Sequence, residues 1–165
     1  MPIAGVVQPD FIKISEELRL RKYDGNHAFA LSWYQDEETL MLVDGKNNPY
    51  TPERLTKMYE YLNEHGELYF IEIRKDGVFL PIGDVTFWQE DMPIVIGMPE
   101  YRGRGIGRKV VEALITRGRQ LGYRELFINE IYEWNIGSQK MFEHAGFQKF
   151  SKKDEGYCYR IDLSK

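Results

Sequence analysis

Cysteine is almost missing from this chain. Cys158 is the only one among 165 residues, so no internal disulfide can brace the fold and no thiolate cluster can hold a metal. No apolar run approaches the length of a membrane span. The first ten residues, Met-Pro-Ile-Ala-Gly-Val-Val-Gln-Pro-Asp, have neither the basic start nor the apolar core of a signal peptide, and cytoplasmic residence is the expectation. A basic excess is missing too. With 22 Lys and Arg against 26 Asp and Glu, the net charge is −4, which argues against a general nucleic-acid binder and agrees with a cationic substrate. There is no internal repeat, low-complexity tract or linker. The 42% hydrophobic and 29% charged shares are those of a soluble globular protein, and residues 1–165 read as one domain able to bury a core.

What stands out against this background is Glu100-Tyr-Arg-Gly-Arg-Gly-Ile-Gly-Arg108, directly ahead of a helical run from Lys109 to Leu121. Gly103, Gly105 and Gly107 sit among arginines at the mouth of a helix whose Val110, Val111, Leu114, Ile115 and Leu121 share one face. The first turn of a helix carries unpaired N–H groups and partial positive charge, and so receives anions. Glycines keep side chains out of a phosphate's way. The stretch reads as a pyrophosphate cradle.

The rest of the chain places that cradle in an α+β fold. Leu18 to Tyr23 alternates like an edge-type strand, and His27 to Val43 is helical in composition with a break near Tyr34-Gln35-Asp36. Asp36 followed by Glu37 and Glu38 marks a helix start, as do Thr51 and Pro52 for a helix running to about Asn63. Strands then follow over Leu68–Ile73 and Val78–Trp88, joined by a turn at Lys75-Asp76-Gly77, and over Met92–Met98. After the glycine loop and its helix come a strand at Glu125–Tyr132, a helix at Ile136–Ala145 closed by Gly146, and a final hairpin over Phe147–Phe150 and Tyr157–Leu163.

Two common phosphate loops fail their own tests here. A P-loop needs a lysine and a Ser or Thr after its last glycine, and neither follows Gly107. A dinucleotide fold spaces its glycines G-x-G-x-x-G near the start of βαβ repeats, whereas these are G-x-G-x-G, late in the chain and after antiparallel hairpins. Arg102-x-x-Gly105-x-Gly107 at a strand-to-helix junction instead resembles the acetyl-CoA pyrophosphate loop of the GNAT superfamily of N-acetyltransferases. Asn135-x-x-Ser138-x-x-x-Phe142-x-x-x-Gly146-Phe147 is similar to that superfamily's second signature, and the order of elements matches over roughly residues 16 to 163. The resemblance implies a GNAT-like acyl-CoA N-acyltransferase fold, with a mixed, mostly antiparallel twisted sheet flanked by helices. A weaker likeness, carried by Trp33-Tyr34 and Pro81-Ile82-Gly83-Asp84, points to the aminoglycoside 6′-N-acetyltransferase and ribosomal N-terminal acetyltransferase branches.

The resemblance also implies roles. Val95, Ile96 and Gly97 would offer backbone groups to the pantetheine arm of acetyl-CoA, and Arg102, Gly103, Arg104, Gly105, Ile106 and Gly107 would hold its pyrophosphate. Asn135 would bond the pantetheine amides, with Ser138 and Phe142 lining the rest of the channel. Plainer roles stand beside these: a solvated basic face for the arginines, a helix N-cap for Asn135, packing for Ser138 and Phe142. No metal is implied.

Acetyl transfer to an amine needs the ammonium, with a pKa of about 10, to lose its proton, and needs a proton for the departing thiolate. Where many GNAT members carry a tyrosine acid, this chain has Phe142, so either Tyr132 on the adjoining strand is the acid or solvent protonates the thiolate. Glu90, Asp91 and Asp84 are the candidate bases, although none has a diagnostic local motif and a plain surface carboxylate is the simpler reading of each. Trp33, Tyr34 and Asp36 form an aromatic–acidic cluster suited to a cationic acceptor, or a core tryptophan beside a helix cap. The expected activity is acetylation of a primary amine on a small molecule or peptide by direct transfer in a ternary complex. A non-catalytic CoA-binding module or a purely structural domain is the alternative, and a homodimer is the default assembly.

Overall fold

The computed structural model describes residues 1–164. They form two compact units, one built from residues 1–86 with 94–101, the other from 87–93 with the chain from 102 onward.

In the first unit, β1 (Phe11–Lys13), β2 (Leu18–Lys22), β3 (Glu67–Lys75), β4 (Val78–Phe87) and β5 (Ile94–Ile96) make a five-stranded sheet in that order. β2 shows the expected alternation. Leu18 and Leu20 are buried, while Arg19 and Arg21 on the opposite face both donate through Nε to the buried Glu72 of β3 at 2.8 Å. The reading of β2 as an edge strand is corrected: β1 pairs outside it, Ile12 opposite Leu20, and takes the edge. β1 escaped notice because three residues are too few to show a period.

The helical region that precedes β3 comes in three pieces. A 3₁₀ stretch covers Ala28–Gln35, and α1 covers Glu37–Asp44, capped by Asp36, whose carboxylate accepts from the Thr39 N–H at 3.0 Å. α2 runs Pro52–His65, with Thr51 as its cap and with Leu55 and Tyr59, four residues apart, buried. Trp33, Tyr34, Leu40, Tyr50, Leu55, Tyr59, Leu68 and Phe70 are members of one core cluster. This core is unusually aromatic, so its polar tips require partners.

In the second unit, α3 (Ile106–Gln120), β6 (Glu125–Tyr132), α4 (Ile136–Ala145), β7 (Gln148–Lys152) and β8 (Gly156–Asp162) follow in order, with a three-stranded sheet β6-β8-β7. α3 buries Val110, Val111, Leu114 and Ile115, and its Gly118 lies so near Leu126 and Leu163 that a Cβ there would sit 3.2 to 3.3 Å from their methyl carbons. The pairs β1–β2, β2–β3, β4–β5, β6–β8 and β7–β8 are all antiparallel. The apolar run expected over Met92–Met98 is a strand only at 94–96, and residues 87–93 join the second unit, where the Gln89 carbonyl accepts from the Phe127 N–H at 2.9 Å. Among the described residues, no helix is long and apolar enough to cross a membrane.

Candidate functional site

The glycine loop owes its shape to backbone conformation. Gly103 and Gly105 have φ of +73° and +79°, a left-handed region that side chains resist. Gly105 is the residue from which α3 starts, and no side chain caps that helix end. A Cβ built on Gly103 or Gly105 would meet nothing within 4 Å, so the space before the loop is open. The first intrahelical bond runs from the Lys109 N–H to the Gly105 carbonyl at 3.2 Å. The earlier N–H groups of the turn therefore lie outside the helix's own ladder. Ile106 and Gly107 are buried on the helix's inner side, Arg102 is half-buried and Arg104 exposed. Arg108 turns along the helix and pairs with Glu112 at 2.8 Å.

At the end of β6, Asn135 is the N-cap of α4, its Oδ1 accepting from the Ser138 N–H at 3.1 Å. Gln139 fixes the same junction by donating from Nε2 to the Tyr132 and Glu133 carbonyls, each at 2.9 Å. Tyr132 is half-buried and stacked on the exposed Trp134, ring centroids 4.6 Å apart. Phe142 is buried edge-to-face against Phe147, ring centroids 5.3 Å apart.

The candidate bases differ sharply in setting. Glu90 is exposed in the turn after β4. The carboxylate of Asp91 accepts the Met92 N–H at 2.9 Å and the Asn129 N–H at 3.0 Å, which is the work of a structural staple. Burial raises its pKa while those two bonds oppose the rise. Asp84 stands on β4 opposite Val95 of β5 and is 2% exposed. Its Oδ2 receives the hydroxyls of Tyr34 at 2.6 Å and Tyr59 at 2.8 Å. Burial pushes the Asp84 carboxyl up to about 6, although both hydroxyls favour its charged form. Burial and the adjacent carboxylate push both tyrosines well above their ordinary range, so they remain hydroxyls and donors at any physiological pH. Tyr59 was not singled out from the sequence. Its signal was a tyrosine four residues after Leu55 on a helix's apolar stripe, a position that demands a buried acceptor.

Trp33, Tyr34 and Asp36 part company in the structure. Tyr34 points its hydroxyl at Asp84, while Trp33 and Asp36 line a cleft of about 480 Å³. Phe29, Leu80, Pro81 and Met98 supply its apolar walls, and Glu100 a second carboxylate. The Trp33 ring lies directly over Gly97, where any Cβ would collide with the indole. Gly97 and Met98 both donate backbone N–H bonds to the Ile82 carbonyl, at 2.8 and 3.2 Å, which holds the chain after β5 against β4. Val95 and Ile96 are half-buried on β5, the last strand of its sheet.

Antiparallel sheets, helices interspersed with the strands along the chain, and a glycine turn feeding a helix late in the sequence make an α+β architecture. The chain belongs to the Acetyltransferase (GNAT) family, whose model matches residues 28–147. It is 27% identical over 64 residues to a thialysine N-epsilon-acetyltransferase of Bos taurus, a match that takes in 39% of this chain and 37% of that protein. Among solved structures it resembles a domain from Methanocaldococcus jannaschii, with a TM-score of 0.78, 22% identity, and 88% of this chain and 98% of the other covered. It is also similar to AAC(6′)-Ib in complex with ribostamycin and coenzyme A, with a TM-score of 0.72, 16% identity, and coverage of 89% and 94%. These likenesses establish the fold.

Proposed function

We propose that the protein is an acetyl-CoA-dependent N-acetyltransferase acting on a primary amine, of a small molecule or a peptide N-terminus, by direct transfer in a ternary complex. The observation that carries this reading is the left-handed Gly103–Gly105 turn, open in front and running straight into the uncapped start of α3. That arrangement fits a pyrophosphate, which needs backbone N–H groups and no intervening Cβ. Arg102 and Arg104 would add charge, and Ile106 and Gly107 the N–H groups of the first turn. An outermost strand such as β5 suits the amides of a pantetheine arm through the backbone of Val95, Ile96 and Gly97. Asn135 and Ser138 would serve that arm from the start of α4. The family match runs through both units, from 28 to 147, which supports a single functional domain.

Acetyl-CoA supplies the acetyl group already activated as a thioester. The chain must then take a proton from the amine and deliver one to sulfur. Of the three carboxylates, we assign the base role to Asp84, because Asp91 is committed to two backbone N–H groups and Glu90 faces solvent. A carboxyl raised to about 6 stays ionised at neutral pH yet accepts a proton more readily than an ordinary one. The Tyr34 and Tyr59 hydroxyls both donate to it and hold it in place. Tyr132, locked by its stack on Trp134, is assigned the acid role that Phe142 cannot fill. Backbone N–H at β5 would steady the oxyanion.

The test is acetyl-CoA titration followed by thermal shift, then thiol release across a panel of aminoglycosides, polyamines and N-terminal peptides. Stabilisation by acetyl-CoA with amine-dependent thiol release is expected. Binding without turnover on any amine would favour a CoA-sensing module, and no stabilisation at all would remove both readings.

A further inference from the structure

The cleft beside Trp33 has a charge pattern that bears on which amine it accepts. Its walls are apolar: Phe29, Trp33, Leu80, Pro81 and Met98 line it, and among the described residues no lysine or arginine does. One wall is rigid. Trp33 is 5% exposed, tilted against Phe29 at 5.6 Å, and seated over Gly97, so its ring cannot swing without displacing the backbone after β5. The two carboxylates on the cleft are not equivalent. Asp36 is engaged at the start of α1, accepting from both the N–H and the hydroxyl of Thr39 at 3.0 Å, where the helix's own partial positive charge offsets it. Glu100 is exposed in the single turn Pro99–Tyr101, whose three residues sum to far less partial charge than α1 sets against Asp36. The net field of the cleft therefore suits about one cation, held at one end of an otherwise apolar volume.

We infer that the acceptor is a monoamine with an apolar body, an alkyl or arylalkyl amine, and that polycations are poor substrates. This rests on the N-acetyltransferase reading above. A polycation would turn its further ammonium groups toward Phe29, Leu80 and Pro81, where each loses water and gains no partner. A monoamine spends its only charge at the carboxylate end and fills the rest with carbon. The reaction also changes that charge. The ammonium gives up a proton to base, the C–N bond forms as the C–S bond breaks, the thiolate takes a proton, and the product is a neutral amide. Recognition by Glu100 is lost in the product, which favours its release.

The experiment compares 2-phenylethylamine and n-hexylamine with spermidine and ribostamycin in the thiol-release assay at saturating acetyl-CoA. A kcat/KM at least about tenfold higher for the monoamines is expected. Glu100→Gln should raise KM for 2-phenylethylamine about fivefold with kcat held, and Trp33→Leu should weaken 2-phenylethylamine more than n-hexylamine. Polycations equalling the monoamines, or a Glu100→Gln enzyme with unchanged KM, would overturn the inference. If no amine turns over, 2-phenylethylamine binding is measured directly by ligand-observed NMR. Binding that Glu100→Gln weakens sustains the cleft's assignment while the catalytic reading fails, and no binding overturns it.

Discussion

The glycine turn ahead of α3 and the carboxyl cluster around Asp84 are built on opposite principles. The turn is local: Gly103 to Gly107 are consecutive, their work is done by backbone, and the space they face is open. The cluster is assembled from a distance. Tyr34 and Tyr59 reach Asp84 across 50 and 25 residues, and its chemistry depends on side chains held out of water. A backbone site is insensitive to most side-chain changes but intolerant at its glycines, whereas a buried side-chain site depends on packing everywhere around it. Substitutions that separate these two sensitivities test the contrast.

The largest effect should come from packing in the first unit. Gly97→Val would drive two methyl groups toward the Trp33 ring, where even a Cβ collides. Overpacking of this kind costs about 3 kcal/mol. Chemical denaturation should show that loss, and a variant as stable as the parent would mean that the Trp33 wall is loose.

Next in size is the cluster's chemistry. An Asn at position 84 keeps a carbonyl oxygen that can accept both tyrosine hydroxyls, so Asp84→Asn should fold while kcat falls about a hundredfold. The acidic limb of the parent's kcat/KM profile, expected near 6, should vanish with it. Stability offers an independent reading with a definite sign. The folded pKa is about 6 against an ordinary 3.8, so the folded state binds the extra proton between those values. The parent should therefore lose stability as pH rises from about 4 to 6, by something on the order of 3 kcal/mol from this group, and stay level above that window. The Asp84→Asn protein should lack this slope. A slope shared by both proteins would place the titration elsewhere.

The same contrast explains what could be read before the structure. Every feature of the loop, from the glycines to the helix stripe at Val110, Val111, Leu114 and Ile115, lies within one short window and obeys one periodicity. The caps at Asp36, Thr51 and Asn135 were legible for the same reason, since each bonds an N–H three residues on. β1 was not, being three residues long, nor was the resulting interior place of β2. Asp84 was visible as a carboxylate on a strand, but its pairing with Tyr34 and Tyr59 is a fact of tertiary packing. Asp91 and Glu90 looked equivalent in sequence because neighbours cannot reveal which of them meets the Asn129 N–H, 38 residues away from Asp91.

A smaller effect is expected at the loop. A Cβ at Gly105 meets nothing within 4 Å, so Gly105→Ala should lose stability through the left-handed backbone, by about 1 to 2 kcal/mol, and Gly105→Val at least as much. If backbone N–H groups rather than arginine charge hold the pyrophosphate, as proposed, acetyl-CoA affinity followed by calorimetry should fall about tenfold more for Gly105→Val than for Arg104→Ala. Equal losses would shift the weight to charge and blur the distinction between the two sites.

The smallest effect tests whether the second unit's other junction is a cap first and a ligand contact second. Asn135→Ala removes the side-chain oxygen that accepts the Ser138 N–H, which costs about 1 kcal/mol at a helix start. Asn135→Asp restores an acceptor and should recover most of that stability. If Asn135 also bonds a pantetheine amide, the two variants diverge in affinity. Asp cannot donate, so Asn135→Asp should keep the helix and still bind acetyl-CoA several-fold more weakly. Affinity that recovers in step with stability would show that Asn135 acts on α4 alone, and would leave the cofactor's recognition on this unit to the glycine turn.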